Sequence, residues 1–325
     1  MHKEVIIAII LGSLLGIVLA FGIWRVNKSF KNSSIESGES VENNTQNDGD
    51  TKHKLTLISP SDKSVAVDSY TTVKGLTNPN SYVTISSEDD DLVLLSNEEG
   101  SFEQEVELVG GINDLVISSI DDQNVLSENV MIVYSNELEN NDEENKVTDE
   151  VEKRLEEASK KYIAQMGTIT DITENSIQIK NDDSEILQLS IDDSTTYANI
   201  VKTAKEVNFE DVAIGDYIIA LGSLDGNEIL VSKRILITSN YTGTTRKTLI
   251  GTVTEFNTKN FLIDTKDGEI SLDATGSVIT TYVKDGEIAK GRLSLAEEGD
   301  QIIVMGEPNG EDFEVSRVHI LPLEE

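Results

Sequence analysis

The 325-residue chain has no cysteine, four prolines, three histidines and one tryptophan. The missing thiol rules out disulfides, thiolate metal sites and cysteine nucleophiles. His2, His53 and His319 stand far apart in the sequence, so no His-based triad or zinc site is indicated. Trp24 is the lone tryptophan and aromatics make up 5% of the chain, which argues against a stacked sugar platform or a glycosidase cleft. Positive charge is scarce too. Against 26 Lys and Arg stand 60 Asp and Glu, a net charge of −34. That field repels phosphate backbones and excludes nucleic acid as a partner, while favouring basic surfaces and divalent cations.

Uncharged length is concentrated in one place. Val5 to Trp24 runs twenty residues without a charge, enough to cross a hydrocarbon core of about 30 Å. Residues 1–26 are therefore expected to form a transmembrane signal-anchor, with Trp24 and Arg25 at the interface. A cleaved signal peptide ending near Val18-Leu19-Ala20 is the alternative. Ala8, Gly12, Gly16 and Ala20 recur every four residues, a small-residue stripe suited to helix packing and self-association in the membrane. Residues 27–54, rich in Ser, Asn, Glu and Asp, read as a flexible stalk.

From 55 to 135 the pattern turns to short strands. Val83-Thr84-Ile85, Leu115-Val116-Ile117 and Val130 to Tyr134 are strand-like runs. Asn78-Pro79-Asn80, Glu99-Gly100-Ser101 and Gly110-Gly111 separate such runs as turns. A β-sandwich is expected. The series Ser59-Pro60, Val73-Lys74-Gly75, Asn80, Gly100-Ser101-Phe102, Val106-Glu107-Leu108, Gly111, Asn113 and Leu115-Val116-Ile117 resembles bacterial immunoglobulin-like modules. The closest group is the one like the second domain of glucodextranase. That resemblance implies a spacer or adhesion element rather than a catalyst.

Residues 136–165 follow as an acidic linker and a connector helix. Val151, Leu155, Ala158 and Tyr162 share one helical face over Thr148–Gln165. The rest of the chain is a duplication. Gly167-Thr168-Ile169-Thr170 recurs as Gly251-Thr252-Val253-Thr254, and Gly215-Asp216 recurs as Gly299-Asp300, each 84 residues on. Gly222 with Gly306, Gly226 with Gly310 and Ser232 with Ser316 keep the same interval. Each copy, 166–238 and 249–325 with a linker at 239–248, reads as a small OB-like β-barrel. The repeat resembles a β-barrel family of unknown function found in exported bacterial proteins, which transfers no catalytic residue.

The expected fold class is therefore mainly β: an N-terminal transmembrane helix, an immunoglobulin-like sandwich, a short connector helix and two tandem barrels. Arg25, Lys28 and Lys31 argue for a cytoplasmic C-terminal portion by charge. The exported character of the family resemblances argues for an extracellular one, and that topology is expected at the cell membrane. No catalytic residue and no cofactor is indicated. Asp89, Asp90, Asp91, Asp121 and Asp122 sit in acidic turns and are the candidates for weak Ca²⁺ binding. The functional expectation is non-enzymatic presentation of β modules for adhesion, protein interaction or envelope scaffolding. Accessory domains of a surface hydrolase system, or a membrane-tethered scaffold facing the cytosol, are the alternatives.

Overall fold

A computed structural model describes residues 53–122, 124–138, 162–202, 204–257, 259–284 and 286–322. All of them belong to one compact unit, Thr51–Glu325. Among the described residues it holds twenty-two strands and three short 3-10 turns.

The first module comprises β1 (Thr56–Ser59), β2 (Ser64–Ala66), β3 (Tyr70–Leu76), β4 (Tyr82–Ser86), β5 (Asp91–Leu95), β6 (Ser101–Glu107), β7 (Gly111–Asp121) and β8 (Asn124–Tyr134). Strands β1, β3 and β6 form one sheet, and β2, β8, β7, β4 and β5 lie in order in the other. Val73, Phe102 and Val106 from the first sheet pack with Val83, Ile85, Leu115, Ile117 and Ile132 from the second. These inward residues sit at alternate positions along each strand, as a two-sheet core requires.

The second module comprises β9 (Ile163–Ile172), β10 (Ser176–Lys180), β11 (Ile186–Ser190), β12 (Thr196–Asn199), β13 (Lys205–Val207), β14 (Tyr217–Leu224) and β15 (Leu230–Thr238). The third repeats the plan with β16 (Lys247–Glu255), β17 (Asn260–Thr265), β18 (Gly268–Asp273), β19 (Ile279–Lys284), β20 (Glu287–Lys290), β21 (Gln301–Asn309) and β22 (Asp312–Ile320). Five strands close each barrel: β9-β10-β11-β15-β14 in the first, β16-β17-β18-β22-β21 in the second. The parallel pairs β11–β15 and β18–β22 are the closing contacts. A hairpin, β12–β13 or β19–β20, flanks each barrel through the same last strand.

Several expectations are corrected. The first two modules are joined by pairing: β2 pairs with both β8 and β9, and one sheet runs from the sandwich into the first barrel. Residues 163–165, assigned by helical spacing to the connector helix, open strand β9 instead. Its β-branched residues suit a strand covered on both faces, with Ala164 and Met166 buried on one side and Ile169 in the barrel core on the other. The remainder of that helix, 148–161, lies outside the described residues. Among the described residues, helical structure is limited to three-residue 3-10 turns at Asn136–Leu138, Phe209–Asp211 and Leu293–Leu295. No helix there is long and apolar enough to cross a membrane. The expected anchor at 1–26, its stripe Ala8, Gly12, Gly16 and Ala20, and residues 27–52 of the stalk lie outside the described residues. Membrane anchoring, self-association through an anchor and single-pass localisation are therefore withdrawn. At the end of the expected stalk, His53 and Lys54 are bound to the sandwich: His53 Nε2 lies 3.0 Å from Ser119 Oγ, and Thr77 donates to the Lys54 carbonyl at 2.9 Å.

The two copies differ in the length of their final hairpin. Gly222 lies opposite Ser232, but Gly306 lies opposite Val315. The second copy's final hairpin is one residue shorter, so the offset is 84 before it and 83 after it. Ser232 and Ser316, paired by the constant interval, are thus not equivalent. Arg234 and Arg317 are, facing Leu221 and Met305.

Candidate functional site

The outer face of the sandwich sheet carries both barrels, and each barrel presents the same face to it. In the first barrel, Ala164 lies opposite Leu221, Met166 opposite Ile219, and Ile219 opposite Leu236. In the second, the corresponding sets are Thr248 with Met305, Ile250 with Ile303, and Ile303 with His319. Ala164, Met166, Ile219, Leu221 and Leu236 share one buried cluster with Met131 and Val133 of β8. This first seam is apolar, each large side chain contributing about 1.5–3 kcal/mol of burial.

The second seam is built differently. Its apolar part is small: Ile120, Ile250 and Ile303, with Tyr82 and Val125 packed alongside. Around it polar groups pair across the boundary. Thr84 and Thr248 hydroxyls lie 2.8 Å apart, both buried. Arg246 Nη2 donates to both Asp91 carboxylate oxygens at 2.8 Å, and Ser316 donates its hydroxyl to the same carboxylate. Asp91 is 4% exposed, so this ion pair is largely withdrawn from water. Arg317 reaches Asp90 at 3.0 Å. Its counterpart Arg234 donates to Thr196 and Glu206 of the hairpin flanking the first barrel. The His319 ring is fully buried, 5.2 Å from the Tyr82 ring and tilted by 54° to it. Burial, and then the Arg317 charge, lowers the His319 imidazole from 6.5 to about 4. In the connection between the barrels, Tyr241 donates to Asp114 on the outer face of β7. Burial first, then that bond, pushes the Tyr241 phenol well above its ordinary range.

A cleft of about 590 Å³ opens along this second seam. Val116, Ser127 and Asn129 line it from the sandwich, and Lys247, Leu249 and Lys266 from the barrel. Hydroxyl, amide and ammonium groups lie there over an apolar floor.

The acidic candidates are dispersed by the fold. Asp90 and Asp91 are bound to Arg317 and Arg246, so their charge holds the seam together. Asp121 accepts from the Asn78 side-chain amide at 2.9 Å, and Asp122 turns the β7–β8 hairpin at a φ of 51°. Asp89 is exposed in the turn before β5. Among the described residues no group of three His, Asp or Glu side chains could hold a metal ion. Sequence reasoning missed the His53–Ser119 pair, which has the reach of a base and a nucleophile. However, Ser119 is completely buried and its hydroxyl also contacts Thr77, so no substrate carbonyl can approach it.

No family model and no curated protein matches this chain. Among solved structures, a carbohydrate acetylesterase from Xanthomonas citri aligns over 26% of this chain with 19% identity and a TM-score of 0.21. The alignment spans only 19% of the esterase. A Ca²⁺-stabilized adhesin with which an Antarctic bacterium binds ice aligns over 83% of this chain and 74% of that one, with 14% identity and a TM-score of 0.18. Similarity this low supports no inference about fold or activity.

Proposed function

We propose that this protein is non-enzymatic and holds tandem β modules in a fixed mutual orientation for adhesion, protein interaction or envelope scaffolding. The supporting observation is that both barrels dock on one sandwich sheet, one through an apolar seam and one through paired buried charges. The Ser119 hydroxyl is fully buried in the sandwich and shared with Thr77, which speaks against its use as a nucleophile although His53 is only half-buried.

The test couples binding to turnover. Purified full-length protein is sedimented with cell-envelope polymer and passed over immobilised envelope proteins. In parallel it is incubated with p-nitrophenyl acetate and a panel of aryl glycosides. We expect retention by one envelope component and hydrolysis no faster than buffer. Hydrolysis above buffer that disappears in Ser119→Ala would overturn the non-enzymatic reading.

A further inference from the structure

The two docking faces differ at one titratable position. Leu236 and His319 occupy equivalent places, opposite Ile219 and Ile303. Leu236 is buried among apolar neighbours. His319 is fully buried with Nδ1 2.9 Å from Thr281 Oγ1, while its Nε2 has no hydrogen-bond partner among the described residues. A neutral ring tolerates that arrangement. An imidazolium carries N–H on both nitrogens, and one would be buried with no acceptor.

Among the described residues the surroundings offer no compensating charge. On its own strand the nearest charged group is the Arg317 guanidinium, which is repulsive. From β19 comes only the Thr281 hydroxyl, and from β4 the Tyr82 phenol. Its neighbour on β21 is Ile303, and Ile250 of β16 lies opposite that residue. The seam's carboxylates are already engaged, Asp90 by Arg317 and Asp91 by Arg246 and Ser316.

We propose that the second barrel is an acid-released module: protonation of His319 undocks its face from β4 and β7, while the first barrel, with Leu236 in that place, stays bound. The sign follows from the lowered imidazole. Docking favours the neutral ring, so docking is at full strength above pH 6.5 and weakens as pH falls toward about 4. The equilibrium shifts by about 30-fold at pH 5 and by about 160-fold at pH 4. Residues 239–246, between β15 and β16, extend to at most about 28 Å and keep the released barrel tethered.

The absence of native cysteine allows a direct test in the full chain. Thr84→Cys places a thiol at the buried second seam, Ala198→Cys places one at the first, and Glu99→Cys supplies an exposed reference. Thiol-labelling rates relative to the reference are followed from pH 7.5 to 5.0, above the pI of 4.3. We expect the relative rate at position 84 to rise about 30-fold while that at 198 stays constant. His319→Leu, which copies the first barrel, and His319→Gln, which keeps a hydrogen bond to Thr281 within reach, should each hold the rate at 84 within about twofold. A flat profile in the unmodified background, a rise at both seams, or an unchanged rise in the two His319 variants would overturn the proposal.

Discussion

Replacing Asp91 by Ala should be among the most damaging single changes to the second seam. The carboxylate is 4% exposed and accepts from Arg246 and Ser316; the Arg246 side chain is 24% exposed. Deleting the acid leaves a guanidinium more than half withdrawn from water with no counter-charge. Breaking such a pair from one side costs about 3–5 kcal/mol in a buried setting. Since Arg246 keeps some access to solvent, we expect about 3 kcal/mol. Arg246→Met, which strands the carboxylate with only the Ser316 hydroxyl, should cost a similar amount. The double variant should lose less than either single one, because no orphan charge remains. Urea unfolding at pH 7.5, followed by far-UV circular dichroism, measures all four corners of the cycle. A loss under about 0.5 kcal/mol for Asp91→Ala would place the pair with exposed ion pairs and refute its role as the fastening of this seam.

Other outcomes follow from the same geometry. A Cβ at Gly222 or Gly306 would lie 2.0 Å from the Val231 or Glu314 carbonyl oxygen, so either Ala substitution should destabilise by more than about 2 kcal/mol in urea unfolding. Tyr241→Phe leaves the Asp114 carboxylate without its phenol donor and should cost about 1–3 kcal/mol by the same measurement. In an alkaline absorbance titration of the unmodified protein, Tyr241 should ionise above even Tyr217, which burial raises to about 12, and the Phe variant should lack that last step. Calcium at about 5 mM should move the melting temperature by less than about 1 °C, because Asp90 and Asp91 are already paired with arginine.

The strands were readable because their alternation and turn chemistry are local. Val83-Thr84-Ile85 reads as a strand with two residues inward, and Val83 and Ile85 are indeed in the sandwich core. What local pattern conceals is the fate of the other face. Ile112, Val116 and Ile120 point away from that core, and so do Met131 and Val133. The unbroken run Val130–Val133 carried the signal, since a strand covered on both sides has no polar face. The acidic turn at 88–91 looked like a hard-cation site because the partner cations, Arg246 and Arg317, lie more than 150 residues away in sequence. The duplication was visible from its glycines, but the shorter second hairpin shifted the alignment at Ser316, which pairing alone reveals. Helical spacing around Tyr162 failed at Ile163 because sheet pairing with β14 and β2 begins there.

On the ribosome, β2 must wait. Ser64 is made early, yet its partner Ile132 emerges 68 residues later and its other neighbour, Ile163, 99 residues later. At about 5–20 residues per second, those delays are roughly 3–14 s and 5–20 s. The sheet of β1, β3 and β6, by contrast, is complete once Glu107 has been added. Translation therefore delivers a half-finished sandwich whose second sheet is filled from two later stretches. A pause after Tyr134 would leave β2 with β8 on one side and its other edge open to a wrong strand from a neighbouring nascent chain.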